Sequence, residues 1–270
     1  MPKTDTSSGR FRALGVLVDA VQIPDVIQRM DRWIQQREGS RYVAVADAHS
    51  IVEAQRDPAF KQILDTAAMV IPDGIPLIWY GRQSGYPLPE RVCGPDVFES
   101  FCRDKSTRER AHFLYGGATG VPELLGEILT KRFPGVRIAG SYSPPFRPLT
   151  EEEDEQVVAM INGSGADILW VGLGCPTQER WIYAHRHRLT VPVVVGVGAA
   201  FDFLSGRQPR APQFVRNCGL EWLYRIVKEP RRLLRRNLSS NFSLAYYWFR
   251  EMFVRGTVVP AETPTRQSKV

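Results

Sequence analysis

Two stretches of this chain combine glycine turns with side chains that can handle an anion. Val171-Gly-Leu-Gly-Cys-Pro-Thr-Gln-Glu-Arg-Trp181 follows the apolar run Asp167-Ile-Leu-Trp170 and leads into a segment with helical spacing. A strand that ends in Gly172 and Gly174 just before a helix lets backbone N–H groups and the helix N-terminus face a phosphate. Gln178 and Glu179, one turn inside that helix, are placed to hydrogen-bond a sugar or a base as well as to cap backbone. The pattern recurs in Val195-Gly-Val-Gly-Ala-Ala-Phe-Asp-Phe-Leu-Ser-Gly-Arg-Gln-Pro-Arg-Ala-Pro212, where Gly196 and Gly198 precede Asp202 and two arginines. One such turn is most often a tight connection and nothing more. Two of them make a ligand site the better reading.

Two further groups carry charge to turns. Ile71-Pro-Asp-Gly-Ile75 places the Asp73 carboxylate at a predicted strand end, beside a glycine that permits close backbone approach. Taken alone, Asp-Gly is usually only a turn. Arg91-Val-Cys-Gly-Pro-Asp96 sets an arginine ahead of a glycine–proline turn and a helix. His185-Arg-His187 is a poor metal pair, because histidines two apart on a helix point to different faces. No Ser/His/Asp order, Cys/His pairing or D-x-D element stands out. No tightly bound metal and no cofactor are expected.

These residues need a scaffold that brings strand ends together. From about residue 12 to 203, short β-branched runs alternate with longer stretches of helical spacing. The pattern predicts strands at 42–47, 69–71, 112–115, 137–141, 168–172 and 193–197. Helices are predicted near 24–37, 49–64, 75–83, 94–103, 120–133, 150–162 and 176–188, and Thr150 with Glu153 reads as a capping box opening one of them. Such alternation argues for an α/β, Rossmann-like, mainly parallel sheet with helices on both faces. Ligands of these sheets sit beyond the carboxyl ends of the strands, where Asp47, Asp73-Gly74, Gly116-Gly117, Gly172/Gly174 and Gly196/Gly198 all fall.

At 270 residues, 43% hydrophobic and 24% charged, the chain has the make-up of a soluble globular protein. Its net charge of +6 is unevenly spread: residues 204–270 hold thirteen Lys/Arg against four Asp/Glu, whereas 1–203 hold twenty-two against twenty-five. A basic block of this kind seeks phosphate, as nucleic acid, anionic lipid or a pyrophosphate ligand. In Glu221-Trp-Leu-Tyr-Arg-Ile-Val-Lys-Glu-Pro-Arg-Arg-Leu-Leu-Arg-Arg236, cations alternate with apolar residues at helical spacing, and an aromatic stretch at 242–253 follows. That gives one apolar and one cationic face, as in interfacial helices. The expected organisation is a core over 12–212, a basic amphipathic membrane-associating appendage over 213–256 and a flexible tail over 257–270. Four scattered cysteines without C-x-x-C spacing suit a reducing cytoplasm. The N-terminal residues lack the apolar core of a signal peptide, and no apolar run approaches a membrane span.

Taken in order, Ile-Pro-Asp73-Gly, Arg91-Val-x-Gly94, Val-Gly-Leu-Gly174-x-Pro-x-Gln178-Glu179-x-Trp, Gly-Val-Gly198-x-x-Phe-Asp202, Gly206-Arg-x-x-Arg-Ala-Pro212 and Gly-Leu-Glu221-Trp-Leu-Tyr-Arg225 resemble the WecG/TagA/CpsF glycosyltransferases, glycosyltransferase family 26. The resemblance spans about residues 14–236. It implies an inverting, metal-independent transfer from a UDP-sugar to a polyprenyl-diphosphate-linked saccharide in bacterial cell-surface polysaccharide synthesis, at the cytoplasmic face of the membrane. By this resemblance Asp73 is the general base, Arg91 lies near the diphosphate or leaving group, and Gln178 contacts the donor. Arg225, Arg232 and Arg235 correspond to C-terminal arginines that close over the UDP diphosphate. The chain departs from the family where Thr-x-Asn reads Val45-Ala-Asp47, and where the lysine of Pro-Lys-Gln-Glu is Thr177. The donor is therefore either UDP-N-acetylmannosamine-like or UDP-glucose-like.

The expected partners are a UDP-sugar, the lipid-linked acceptor and an anionic membrane surface, and a homo-oligomer stays open. Two other classes compete. A nucleotide-binding regulatory module would use the same glycine turns but would have no use for a carboxylate at Asp73. A nucleic-acid-binding protein would exploit Arg231–Arg236, but the apolar residues interleaved there fit an interface, and no nucleic-acid motif is present.

Overall fold

The computed structural model describes residues 9–218, 220–228, 240, 242–244 and 246–250. Six strands form one all-parallel sheet: β3 (Arg41–Ala46), β4 (Met69–Pro72), β5 (Ala111–Gly116), β6 (Arg137–Tyr142), β7 (Ile168–Gly172) and β8 (Val193–Gly196). Their order is β4-β3-β8-β7-β5-β6. Each predicted strand is present to within a residue or two. No strand was anticipated before these, yet β1 (Arg10–Ala13) and β2 (Val16–Asp19) make a separate antiparallel hairpin. Buried Asp19 ties it to the sheet by accepting the Val70 N–H at 2.9 Å, while Arg10 and Arg29 each pair with the same carboxylate at 3.1 Å.

The helices follow from local chemistry. Thr150 and Glu153 form the expected reciprocal cap at the start of α7 (Glu151–Gly163). The single helix predicted over 49–64 is instead two, α2 (Ala48–Arg56) and α3 (Pro58–Asp65). Pro58 has no N–H to continue the first helix, and Asp57 caps the second by accepting from Ala59 at 2.9 Å. The other helices of the alternating region are α1 (Ile23–Gln36), α4 (Ile75–Gln83), α5 (Gly94–Arg103), α6 (Val121–Arg132) and α8 (Thr177–His185). Three short helices follow: α9 (Ala200–Leu204), α10 (Gln213–Asn217) and α11 (Glu221–Lys228).

Strand alternation feeds two apolar layers. Along β7, Leu169 and Val171 join one core, with Val194, Phe60 and Ile161. Ile168 and Trp170 join the other, with Val195, Phe98 and Phe101. A sheet buried on both faces needs such continuous apolar strands. Trp170 stacks on Phe98 with centroids 4.0 Å apart and donates its indole N–H to His112 Nδ1 at 2.9 Å. Burial pushes His112 down to about 3, so this histidine is neutral and structural. Among the described residues no helix is long and apolar enough to cross a membrane.

Candidate active site

A cavity of about 1910 Å³ runs along the carboxyl ends of the parallel strands, where a doubly wound sheet places its ligands. Its walls bring together most of the residues singled out in the sequence: Asp47, Asp73, Arg91, Gly172, Gly174 and Gln178, together with Gly198, Asp202 and Arg225. Arg232 and Arg235 lie outside the described residues.

The charged corner is built on the end of β4. Asp73 is the first residue past the strand, and its N–H donates to the Ala46 carbonyl of β3 at 2.8 Å. Gly74 then turns the chain into α4 at a φ of 107°, a conformation that disfavours side chains. The segment ahead of α5 returns to the same strand end through the Val92 N–H, which donates to the Pro72 carbonyl at 2.9 Å. Arg91 is thereby set beside Asp73, with Nη1 3.7 Å from Oδ1. Burial pushes the Asp73 carboxyl up to about 7; Arg91 opposes that, while the charges of Asp47 and Glu221 reinforce it. A carboxyl poised near neutrality and open to a cavity suits a general base.

Residues that the sequence reading passed over complete this corner. Glu221, the first residue of α11, is buried and pairs with Arg91 through Nη2. Arg210 reaches the same carboxylate at 3.3 Å and binds Asp96 with both terminal nitrogens at 2.5 and 2.8 Å. Arg216 approaches Asp96 at 3.6 Å. Arg210 and Glu221 both stand inside motifs that were visible in the sequence. Nothing in the sequence says that residues 114 and 130 positions apart meet there.

The second corner is made of backbone. Gly116 and Gly172 sit side by side at the ends of β5 and β7, and a Cβ on Gly116 would come within 2.7 Å of the Gly172 backbone. The Gln178 carboxamide oxygen accepts from the Gly174 N–H at 3.2 Å and from the Gly198 N–H at 2.9 Å. It clips the two glycine turns to each other. Its Nε2 donates to Glu179 Oε1 at 2.8 Å. Glu179 lies behind the wall at 1% exposure, where burial pushes its carboxyl up to about 7. Asp47, at the end of β3, caps α2 by accepting from the Ser50 N–H at 2.9 Å and from its hydroxyl at 3.0 Å.

Toward β6 the cavity is aromatic. Trp181 packs on Tyr115 and His185 with centroids 4.4 and 4.3 Å away, and His185 Nε2 lies 2.7 Å from Asp154. Among the described residues no group of three or more His, Cys, Asp or Glu side chains is placed to hold a metal ion.

Described C-terminal residues also line the cavity. Arg225 lies over the Phe203 ring, 5.3 Å from its centroid. Ser240 meets His49 at 3.1 Å, Arg56 donates to Ser243 at 2.9 Å, and Leu244 is buried against the core. Trp79, Phe146, Leu220, Trp222 and Phe249 line the cavity and are also solvent-exposed.

The glycosyl transferase WecG/TagA/CpsF family matches residues 11–257. A protein of Bacillus spizizenii, named N-acetylglucosaminyldiphosphoundecaprenol N-acetyl-beta-D-mannosaminyltransferase, is 34% identical over 200 residues, 74% of this chain and 76% of its own length. Proteins of the same name from Bacillus subtilis and Staphylococcus aureus are 29% identical over 201 residues and 24% over 229, covering 76% and 88% of their own lengths. With the match running through nearly the whole alternating core and on past α11, this chain belongs to the WecG/TagA/CpsF family of glycosyltransferases.

Proposed function

We propose that this glycosyltransferase moves a sugar from a UDP-sugar to a saccharide carried on polyprenyl diphosphate, with inversion and without a metal ion. The observation that carries the reading is Asp73, a carboxyl pushed up to about 7, beside Arg91 and facing a large cavity that Arg210 and Arg225 also line. The relatives are named for transfer of N-acetylmannosamine to a diphosphoundecaprenol-linked sugar. The donor for this chain is UDP-N-acetylmannosamine-like or UDP-glucose-like, since Val45, Asp47 and Thr177 stand where the family's usual residues differ.

In this mechanism the ionised Asp73 takes the proton of the acceptor hydroxyl as its oxygen attacks the anomeric carbon, and the bond from that carbon to the UDP oxygen breaks. General-base assistance of this kind is worth roughly 10²–10⁴ in rate. Charge builds on the departing diphosphate, and Arg91 and Arg225 offset it, aided by backbone N–H groups of the glycine turns. Arg232 and Arg235 join them in this reading. Gln178 acts by holding the two turns in register.

The enzyme works at the inner face of the cell membrane as a peripheral protein. Exposed Trp79, Phe146, Trp222 and Phe249 at the cavity mouth supply an apolar rim, and the basic residues of 225–236 supply charge toward anionic lipid. A lipid-linked acceptor can then reach the cavity without leaving the bilayer.

The deciding experiment gives purified protein a synthetic lipid-diphosphate saccharide and a panel of UDP-sugars, with products read by mass spectrometry. Transfer from one donor, lost in Asp73→Asn, supports the reading. UDP binding with no transfer from any donor would instead favour a regulatory nucleotide-binding module.

A further inference from the structure

Arg91 stands between two carboxylates that belong to different parts of the fold. One is Asp73, at the end of β4, 3.7 Å from Nη1. The other is Glu221, on α11, which makes the closer contact through Nη2. The two terminal nitrogens of one guanidinium thus face two acids, and the nearer acid comes from the C-terminal helix. Arg210 holds Glu221 from the far side at 3.3 Å and is itself fixed by its two-pronged pair with Asp96. Glu221 is buried, so this pairing docks α11 on the core and delivers Arg225, one turn later, to the cavity wall.

We propose that Glu221 is a positioning residue that leaves the Asp73 carboxylate free to act as a base only when α11 is docked, by keeping the Arg91 guanidinium on its own carboxylate and off Asp73. The inference rests on the reading of Asp73 as the base. Were α11 to lift away, the acid nearest to Arg91 would be Asp73, and a small rotation of the guanidinium would close that gap into a tight ion pair. A carboxylate paired in this way is a weaker base and is shielded from the acceptor hydroxyl.

The four groups that face Asp73 come from three places. They are Arg91 and Cys93 from the segment entering α5, Asp47 from the end of β3, and Glu221 from α11. Arg91 favours the ionised form; Asp47 and Glu221 oppose it. Glu221 therefore acts on Asp73 twice, through its own charge and through its hold on Arg91. The same helix carries the exposed Trp222, Leu223 and Val227. A surface that seats α11 would switch the base on.

The test follows the Asp73 carboxyl directly by carbon NMR titration of protein labelled at aspartate, with Asp73→Asn identifying its signal. In Glu221→Gln the midpoint should fall by about one pH unit or more as Arg91 turns to Asp73. The acid limb of kcat/KM on a soluble acceptor should move in the same direction, with kcat reduced roughly tenfold or more while KM for the donor changes less. Because Glu221→Gln takes one charged partner from both Arg91 and Arg210, the double variant Glu221→Gln/Arg210→Gln serves as a companion and should show the same displacement. An Asp73 midpoint that stays within about 0.3 pH units of wild type in a folded variant overturns the proposal. Full transfer activity in Asp73→Asn would instead defeat the base reading, while the carboxyl titration would still report whether Glu221 governs Arg91.

Discussion

Asp73 and Glu179 are two carboxylic acids that burial pushes up to the same place, about 7, at two corners of one cavity. Their surroundings separate them. The Asp73 side chain is 24% exposed, lines the cavity and has a guanidinium within 4 Å. Glu179 is 1% exposed, sits behind the wall and receives the Gln178 amide, which in turn clips the Gly174 and Gly198 turns. A raised proton affinity is therefore no mark of a catalytic base by itself. Access to the cavity distinguishes the two, and the fold grants it only to Asp73.

The largest expected effect comes from removing the lid of the charged corner. A chain ending before residue 221 lacks Arg225 and the Glu221 pairing, and should lose transfer to a water-soluble acceptor altogether while keeping the strand content of the core by circular dichroism. It should also detach from anionic vesicles in a flotation assay. Full turnover by that truncated chain would reduce the C-terminal segment to a membrane anchor.

Next in size is the contrast between the two acids themselves. Asp73→Asn should lower kcat by roughly 10²–10⁴. Glu179→Gln, which can still accept from Gln178, should stay within about threefold of wild type, because its part is to hold an amide in place. Equal losses in both variants would erase the distinction. The wild-type kcat/KM should rise with pH and level off above about 7, since the base works only when ionised.

The backbone corner should respond more mildly and in binding. Gln178→Ala removes the acceptor shared by the Gly174 and Gly198 N–H groups, so calorimetry should find UDP bound about tenfold more weakly. Unchanged affinity for UDP and for the intact UDP-sugar would move the donor away from these turns.

A smaller effect appears in stability. In the unfolded chain Asp73 has an ordinary carboxylate affinity near 3.8, whereas the folded protein raises it to about 7. The native state therefore binds more protons between those values, and stability falls as pH climbs through that window. Asp73→Asn has no proton to lose there. Its melting temperature should exceed that of wild type at pH 8, and the gap should shrink toward pH 4. A constant gap across that range would mean that Asp73 is not buried as an ion. The smallest expected effect is none at all: transfer should persist in excess EDTA, because arginines offset the diphosphate charge, and loss of activity restored by Mg²⁺ or Mn²⁺ would contradict the metal-free mechanism.

How much of this was legible in advance depended on how local the physics is. Helix α5 was placed at its observed ends because Gly94-Pro95 and a run of apolar residues at helical spacing define it within ten positions. The break between α2 and α3 went unread, although Asp57-Pro58 carried the signal. The β1–β2 hairpin was missed because two four-residue strands offer too few alternations to stand out from a loop.

The sequence by itself determined the alternating α/β architecture, the strand ends that carry Asp47, Asp73 and the glycines, and the ordered motifs that place the chain in its family. The first two rest on periodicity and turn chemistry acting over a few residues, the third on the resemblance of an ordered series of motifs to a known family. Only the tertiary structure decided that Gln178 spends its carbonyl on two backbone N–H groups, that Glu179 lies behind the cavity wall, and that Arg91, Arg210, Asp96 and Glu221 form one cluster. Those outcomes depend on which charges the folded chain takes out of water together, across separations as long as 130 residues. Pairing of that kind leaves no period in the sequence, because its energy comes from burial shared by segments that meet only after the sheet has formed.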